Sequence, residues 1–119
     1  MTPPDPASLP AINPSIYRIL LALGDGATHG YGIMRTLAER TEGRESILPG
    51  TLYASLARMV EEGLAEESDP PDGDSSGGPK RRYYRRTELG RIAARAESER
   101  LEALLVLARE QDMLPGSTS

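Results

Sequence analysis

The chain has 119 residues, 38% of them hydrophobic, no cysteine and a net charge of −4. That length predicts one domain with a small core, which a partner subunit would help complete. Disulfides and thiolate metal sites are excluded. No apolar run approaches the roughly 20 residues of a membrane span, and Met1–Pro10 lacks the basic start and apolar middle of a signal peptide, so a cytoplasmic protein is expected.

Residues 1–11 are rich in proline and predict a disordered tail, as do residues 114–119. Between them the pattern is mainly helical. Asn13-Pro14 has the form of a helix start, and Ile16, Ile19, Leu20 and Leu23 follow as an apolar stripe. Gly24-Asp25-Gly26 breaks that helix. A second helix is predicted from about Gly30 to Arg40, burying Ile33, Met34 and Leu37, with Gly43 as its stop. The third begins at Pro49.

That third helix has two unlike sides. At about 100° per residue, Leu52, Leu56, Met59, Val60 and Gly63 fall together as the anchoring side. Ala54, Ala57, Arg58 and Glu61 lie opposite, with Thr51 and Ser55 on a flank. Near its start this outer side is thin (Gly50, Thr51, Ala54, Ser55), which suits insertion into a DNA major groove about 12 Å wide. Free backbone N–H groups at the start of the helix favour a phosphate oxygen. The Tyr53 hydroxyl suits a phosphate, and Arg58 a guanine edge or the backbone.

After Gly63 the pattern changes. Leu64–Glu67 is short enough for a strand, Ser68–Pro79 has no apolar side chain, and Lys80–Arg86 (KRRYYRR) can extend, so a hairpin around a long loop is expected. Tyr83 and Tyr84 would point to opposite faces, with Tyr84 as core and Tyr83 outward. Thr87 then caps a final helix of about 25 residues running to roughly Met113. Its stretch Leu101–Ala108 is apolar nearly all round and must be covered on more than one side. A homodimer is expected, with Leu101, Leu104, Leu105, Leu107 and Ala108 in the seam.

Charge is unevenly distributed. Glu61–Asp74 holds seven acids and no base, whereas Lys80–Arg100 holds eight bases and three acids. The order helix, helix, helix, strand, loop, basic strand describes a winged helix-turn-helix, with the third helix in the groove and the wing on the backbone. The expected division is 12–87 for the DNA-binding unit and 88–113 for the dimerisation helix.

The sequence also resembles the PadR family of transcriptional regulators. The likeness rests on Thr28-His29-Gly30-Tyr31-Gly32-Ile33, Leu48-Pro49-Gly50-Thr51-Leu52-Tyr53 with Leu56, and Glu61-Glu62-Gly63-Leu64. It continues through Arg81-Arg82-Tyr83-Tyr84-Arg85 and Thr87 with Gly90, and covers about residues 12–112. It implies the short form with a single C-terminal helix, acting as a dimeric repressor on palindromic operators and released by a small molecule or another signal. Three departures stand out. Arg86 replaces an aliphatic residue, so either the strand ends early or Arg86 reaches solvent over Tyr84. The long loop carries Asp69, Asp72 and Asp74, which moves the wing's grip to Lys80, Arg81 and Arg82. The final helix has no aromatic residue and offers little to a flat aromatic effector; an aliphatic or larger effector, or none, stays open.

The expected DNA-contacting residues are His29, Tyr31, Pro49, Gly50, Thr51, Tyr53, Ser55, Arg58, Lys80, Arg81 and Arg82. Arg91 and Arg95 read as solvated. His29, the single histidine, reads as a helix-start residue and not as a metal ligand. The glycines around Asp25 form a turn and not a phosphate-cradling loop. No nucleophile–base pairing is visible, so neither catalysis nor a cofactor is expected. The alternative is a protein-interaction module of the same fold, using the acidic run Glu61–Asp74 and consistent with the net negative charge.

Overall fold

The computed structural model describes residues 8–10, 12–71 and 81–115. Most of the two expected tails, the loop from position 72 on and Lys80 lie outside the described residues.

Helix α1 (Pro14–Ala22) starts as the sequence dictates. The Asn13 side chain accepts the Ile16 N–H at 2.8 Å, and Pro14 occupies the first turn, where a missing N–H costs nothing. Ile16, Ile19, Leu20 and Leu23 are all buried. A 3-10 turn, Leu23–Asp25, ends at Gly26, whose φ of +125° suits glycine. Strand β1 (Thr28–His29) follows and had no counterpart in the sequence reading. His29 then caps helix α2 (Gly30–Arg40), its Nδ1 accepting the Gly32 N–H at 3.0 Å. Of the residues expected beneath α2, Ile33 and Leu37 are buried, and Met34 packs against the core while partly exposed. The helix stops where expected: the Gly43 N–H reaches back to the Ala38 carbonyl at 2.8 Å, with Gly43 at φ +80°.

Helix α3 (Pro49–Glu61) anchors through Leu52, Leu56 and Met59. Two expectations about it need correction. Val60 is exposed, because it lies at the edge of the anchoring arc. Ser55 is buried at 8% exposure; it stands three residues after Leu52 and four before Met59, which puts it on the packed side.

Strands β2 (Ala65–Ser68) and β3 (Tyr83–Arg86) form the expected antiparallel hairpin, with Glu66 opposite Arg85 and Glu67 opposite Tyr84. β3 is the central strand, because β1 pairs along its other edge, His29 opposite Tyr83. That extra strand explains why both tyrosines are buried and not Tyr84 alone. The Tyr83 ring meets the His29 ring edge to face at 5.2 Å. Arg86 takes neither expected course. It stays in the strand, half-buried, and its Nη1 donates to the Leu20 carbonyl at 3.2 Å, in the last turn of α1. A cation there complements the helix C-terminus.

Thr87 ties the hairpin to helix α4 (Glu88–Glu110). Its hydroxyl donates to the Gly63 carbonyl at 2.6 Å and accepts the Gly90 N–H at 3.0 Å. Gly90 sits tight against the hairpin: a Cβ there would lie 2.1 Å from the Leu64 carbonyl oxygen. Helix propensity alone would make Gly90→Ala stabilising. The contact reverses the sign, and the substitution is expected to cost about 1–3 kcal/mol, read as a lower urea midpoint.

The first half of α4 packs on α1 and β3 through Gly90, Ala93 and Ala94, and Ser98 bonds the Tyr17 hydroxyl at 2.7 Å. Arg91 and Arg95 are exposed and paired with Glu88 and Glu99, as solvated residues should be. The guanidinium of Arg91, hydrogen-bonded to Glu88, holds that carboxyl below its usual range. The second half leaves the domain: Leu104, Leu105, Val106 and Leu107 are each 43–52% exposed.

Candidate nucleic-acid interface

Of the four α-helices among the described residues, α3 alone begins without a side-chain cap. Asn13, His29 and Thr87 cap the others, whereas Leu48 precedes α3 and offers no acceptor. The first-turn N–H groups of α3 therefore point outward unpaired by a side chain, and Pro49, Gly50 and Thr51 around them are exposed. This is the physical condition for receiving an anion. Tyr53, Ala54, Ala57 and Arg58 continue the exposed side, with Arg58 paired to Glu62 at 3.4 Å.

Tyr53 leans on α2 because Gly30 leaves room for it. A Cβ at position 30 would come within 2.7 Å of the Tyr53 hydroxyl oxygen. The HGYG and PGTLY segments thus interlock, the glycine of one seating the tyrosine of the other. Tyr31, one residue on, is 53% exposed, and its ring lies parallel to that of His29.

The loop end of the hairpin closes the third side. The Arg81 guanidinium lies 5.6 Å from the centre of the Tyr31 ring, and its Nη1 is 3.3 Å from His29 Nδ1. His29 Nδ1 accepts the Gly32 N–H, so that nitrogen carries no proton. The Arg35 guanidinium stands 6.0 Å from the centre of the same tyrosine ring. Arg82 pairs with Glu67 at 3.6 Å.

One groove therefore brings together His29, Tyr31, Pro49, Tyr53, Arg81 and Arg82, all of them expected from the sequence. Gly50 and Thr51 adjoin it at the start of α3, and Arg58 stands two turns further along. Two expected residues have other parts. Ser55 is core-facing, and His29, at 4% exposure, serves as a cap and as a seat for Arg81 and Tyr31. Lys80 lies outside the described residues. Glu67 and Arg35 were missed. The hairpin register, Glu67 opposite Tyr84, would have placed Glu67 here had the strand ends been known.

Three helices, a hairpin joined to them through Thr87 and a helix that leaves the domain define a winged helix-turn-helix protein. Residues 19–96 match the transcriptional regulator PadR-like family, and the chain belongs to it. A curated relative, an uncharacterized protein of Lysinibacillus sphaericus, is 38% identical over 63 residues, 53% of this chain and 55% of that protein. The chain thus spans about half the length of the curated relative it matches. Among solved structures, a transcriptional regulator of Clostridium thermocellum superposes with a TM-score of 0.66 at 26% identity, over 80% of this chain and 89% of that one. A PadR family transcription regulator of Clostridium difficile gives 0.64 at 23% identity over 82% and 97%, a likeness of fold. RosR of H. salinarum gives 0.56 at 25% identity over 87% and 96%. The family and the two clostridial neighbours are described as transcriptional regulators. No helix among the described residues is long and apolar enough to cross a membrane.

Proposed function

We propose that the chain is a homodimeric repressor that binds a pseudo-palindromic DNA operator, residues 12–87 forming the DNA-binding unit and 88–113 the dimerisation helix. The observation that carries this reading is the uncapped, exposed start of α3 beside the Tyr31–Arg81 pair. In it Thr51 and Arg58 approach base edges, the α3 N–H groups and Tyr53 hold one phosphate, and Arg81, Arg82 and Tyr31 hold the neighbouring backbone. Lys80 extends the basic grip of the wing. The apolar stretch of α4, with Leu101, Leu104, Leu105, Leu107 and Ala108, meets its copy across a dyad. A small molecule or another signal releases the repressor. Because the facing residues are aliphatic, a flat aromatic ligand is not expected between these helices.

The direct test is a titration of the DNA upstream of the chain's own gene, with an unrelated duplex as competitor. Tight binding that falls steeply with salt is expected. No binding at low salt would move the reading to a protein-interaction module, which the acidic net charge favours.

Gly30→Ala probes the interlock. The added methyl pushes an exposed tyrosine ring and not the core. Thermal stability is expected to stay near wild type, while operator affinity falls roughly 5- to 150-fold, about the value of one lost hydrogen bond (about 0.5–1.5 kcal/mol) in each of two subunits. Equal affinity for the two proteins would remove Tyr53 from the phosphate site.

A further inference from the structure

The basic side chains of this face differ in what they already hold. Arg81 lies on the Tyr31 ring and against His29, with no carboxylate partner among the described residues. Arg82, its neighbour, is engaged by Glu67 at 3.6 Å, and both line the same groove as Tyr31 and Tyr53. The pairing follows from the hairpin. Glu67 sits opposite Tyr84, so it shares a face with Tyr84 and reaches diagonally to the residue two positions earlier. Glu66 pairs with Arg85 at 2.6 Å, but from the other face and away from the groove. Glu67 is therefore the β2 carboxylate set where a phosphate would have to come.

We infer that Glu67 is an internal substitute for a DNA phosphate: it occupies Arg82 in the free protein and holds down the affinity for DNA of any sequence. The inference rests on the DNA-binding reading above. Both partners are largely exposed, with side-chain accessibilities of 78% for Arg82 and 56% for Glu67, so the pair itself is weak and readily exchanged. Its effect comes from what exchange entails. When Arg82 turns to a phosphate, Glu67 is left as an unpaired anion beside a polyanion, and the two repel. Sequence-independent affinity depends almost wholly on such charge contacts. A carboxylate at this position therefore lowers binding to bulk DNA and leaves recognition to the base contacts of α3. The arrangement suits a repressor that must leave non-operator DNA easily.

The test compares wild type, Glu67→Gln, Arg82→Gln and the double variant on a labelled mixed-sequence duplex and on the upstream duplex, across a salt series. Glu99→Gln, on the far helix, makes the same change in net charge and serves as control. Glu67→Gln is expected to bind the mixed-sequence duplex about 3- to 10-fold more tightly than wild type at low salt. The gain should shrink as salt rises and should be smaller, though not absent, in the Arg82→Gln background, where the repulsion is relieved but no cation is released. A gain no larger than that of Glu99→Gln, or one undiminished without Arg82, would overturn the inference. So would weaker binding by Glu67→Gln, which would make the residue a contact and not a restraint. If wild type binds neither duplex, the DNA-binding reading fails first and takes this one with it.

Discussion

Replacing Leu105 by glutamate is expected to convert the proposed dimer to a monomer and to weaken operator binding about 100-fold or more. Leu105 is 43% exposed in the single chain, on the same side of α4 that packs on the domain through Ala94 about three turns earlier. The substitution thus leaves the folded unit untouched and acts where two copies would meet in the proposed dimer. Each leucine buried there contributes about 1.5–3 kcal/mol, and the dyad counts every residue twice. A loss of about 3–6 kcal/mol of association, before the cost of a buried carboxylate, spans roughly two to four decades in affinity. Sedimentation velocity reads the mass, and a circular dichroism melt confirms that the helices persist. A variant that remains dimeric and binds as wild type would take α4 out of the interface.

Arg81→Ala carries the second large effect. The side chain has an aromatic platform and no competing carboxylate among the described residues, so its charge is held ready at the mouth of the groove. A hydrogen bond to a charged group contributes about 1.5–3 kcal/mol, and one is lost per subunit. Operator affinity should fall by about 100-fold or more, and the slope of log affinity against log salt should flatten by about one unit for each subunit's lost contact. Arg81→Lys should restore most of the slope but not all of the affinity, because lysine keeps the charge and loses the planar stack. An unchanged slope in Arg81→Ala would exclude the loop end of the hairpin from the phosphate contacts.

Much of this geometry was legible in the sequence because single residues carried it. Asn13 with Pro14, Pro49, Gly43 and Thr87 each mark a helix boundary by their own chemistry, and each boundary lies where those residues put it. The HGYG and PGTLY blocks located the groove. What escaped was whatever depended on a neighbour distant in the chain. β1 is two residues long, too short for any periodicity, and exists because β3 offers it an edge. Its presence buries Tyr83 as well as Tyr84, where alternation alone put the two on opposite faces and allowed only one of them a core. Arg86 reads as misplaced until Leu20, 66 residues earlier, presents its carbonyl. Glu67 enters the groove only through hairpin register. Ser55 is a different case: its spacing from Leu52 and Met59 already put it on the packed side, and its polarity argued the wrong way.

The central claim is that two copies of the uncapped α3 face are set along one side of a duplex. Hydroxyl-radical footprinting of the upstream DNA, at saturating protein and with stoichiometry measured in parallel, tests it most directly. Two chains per site should protect two patches on the same face, with centres about 34 Å or a multiple of it apart. A single protected patch with one chain bound, or no protection at concentrations that coat the duplex, would contradict it.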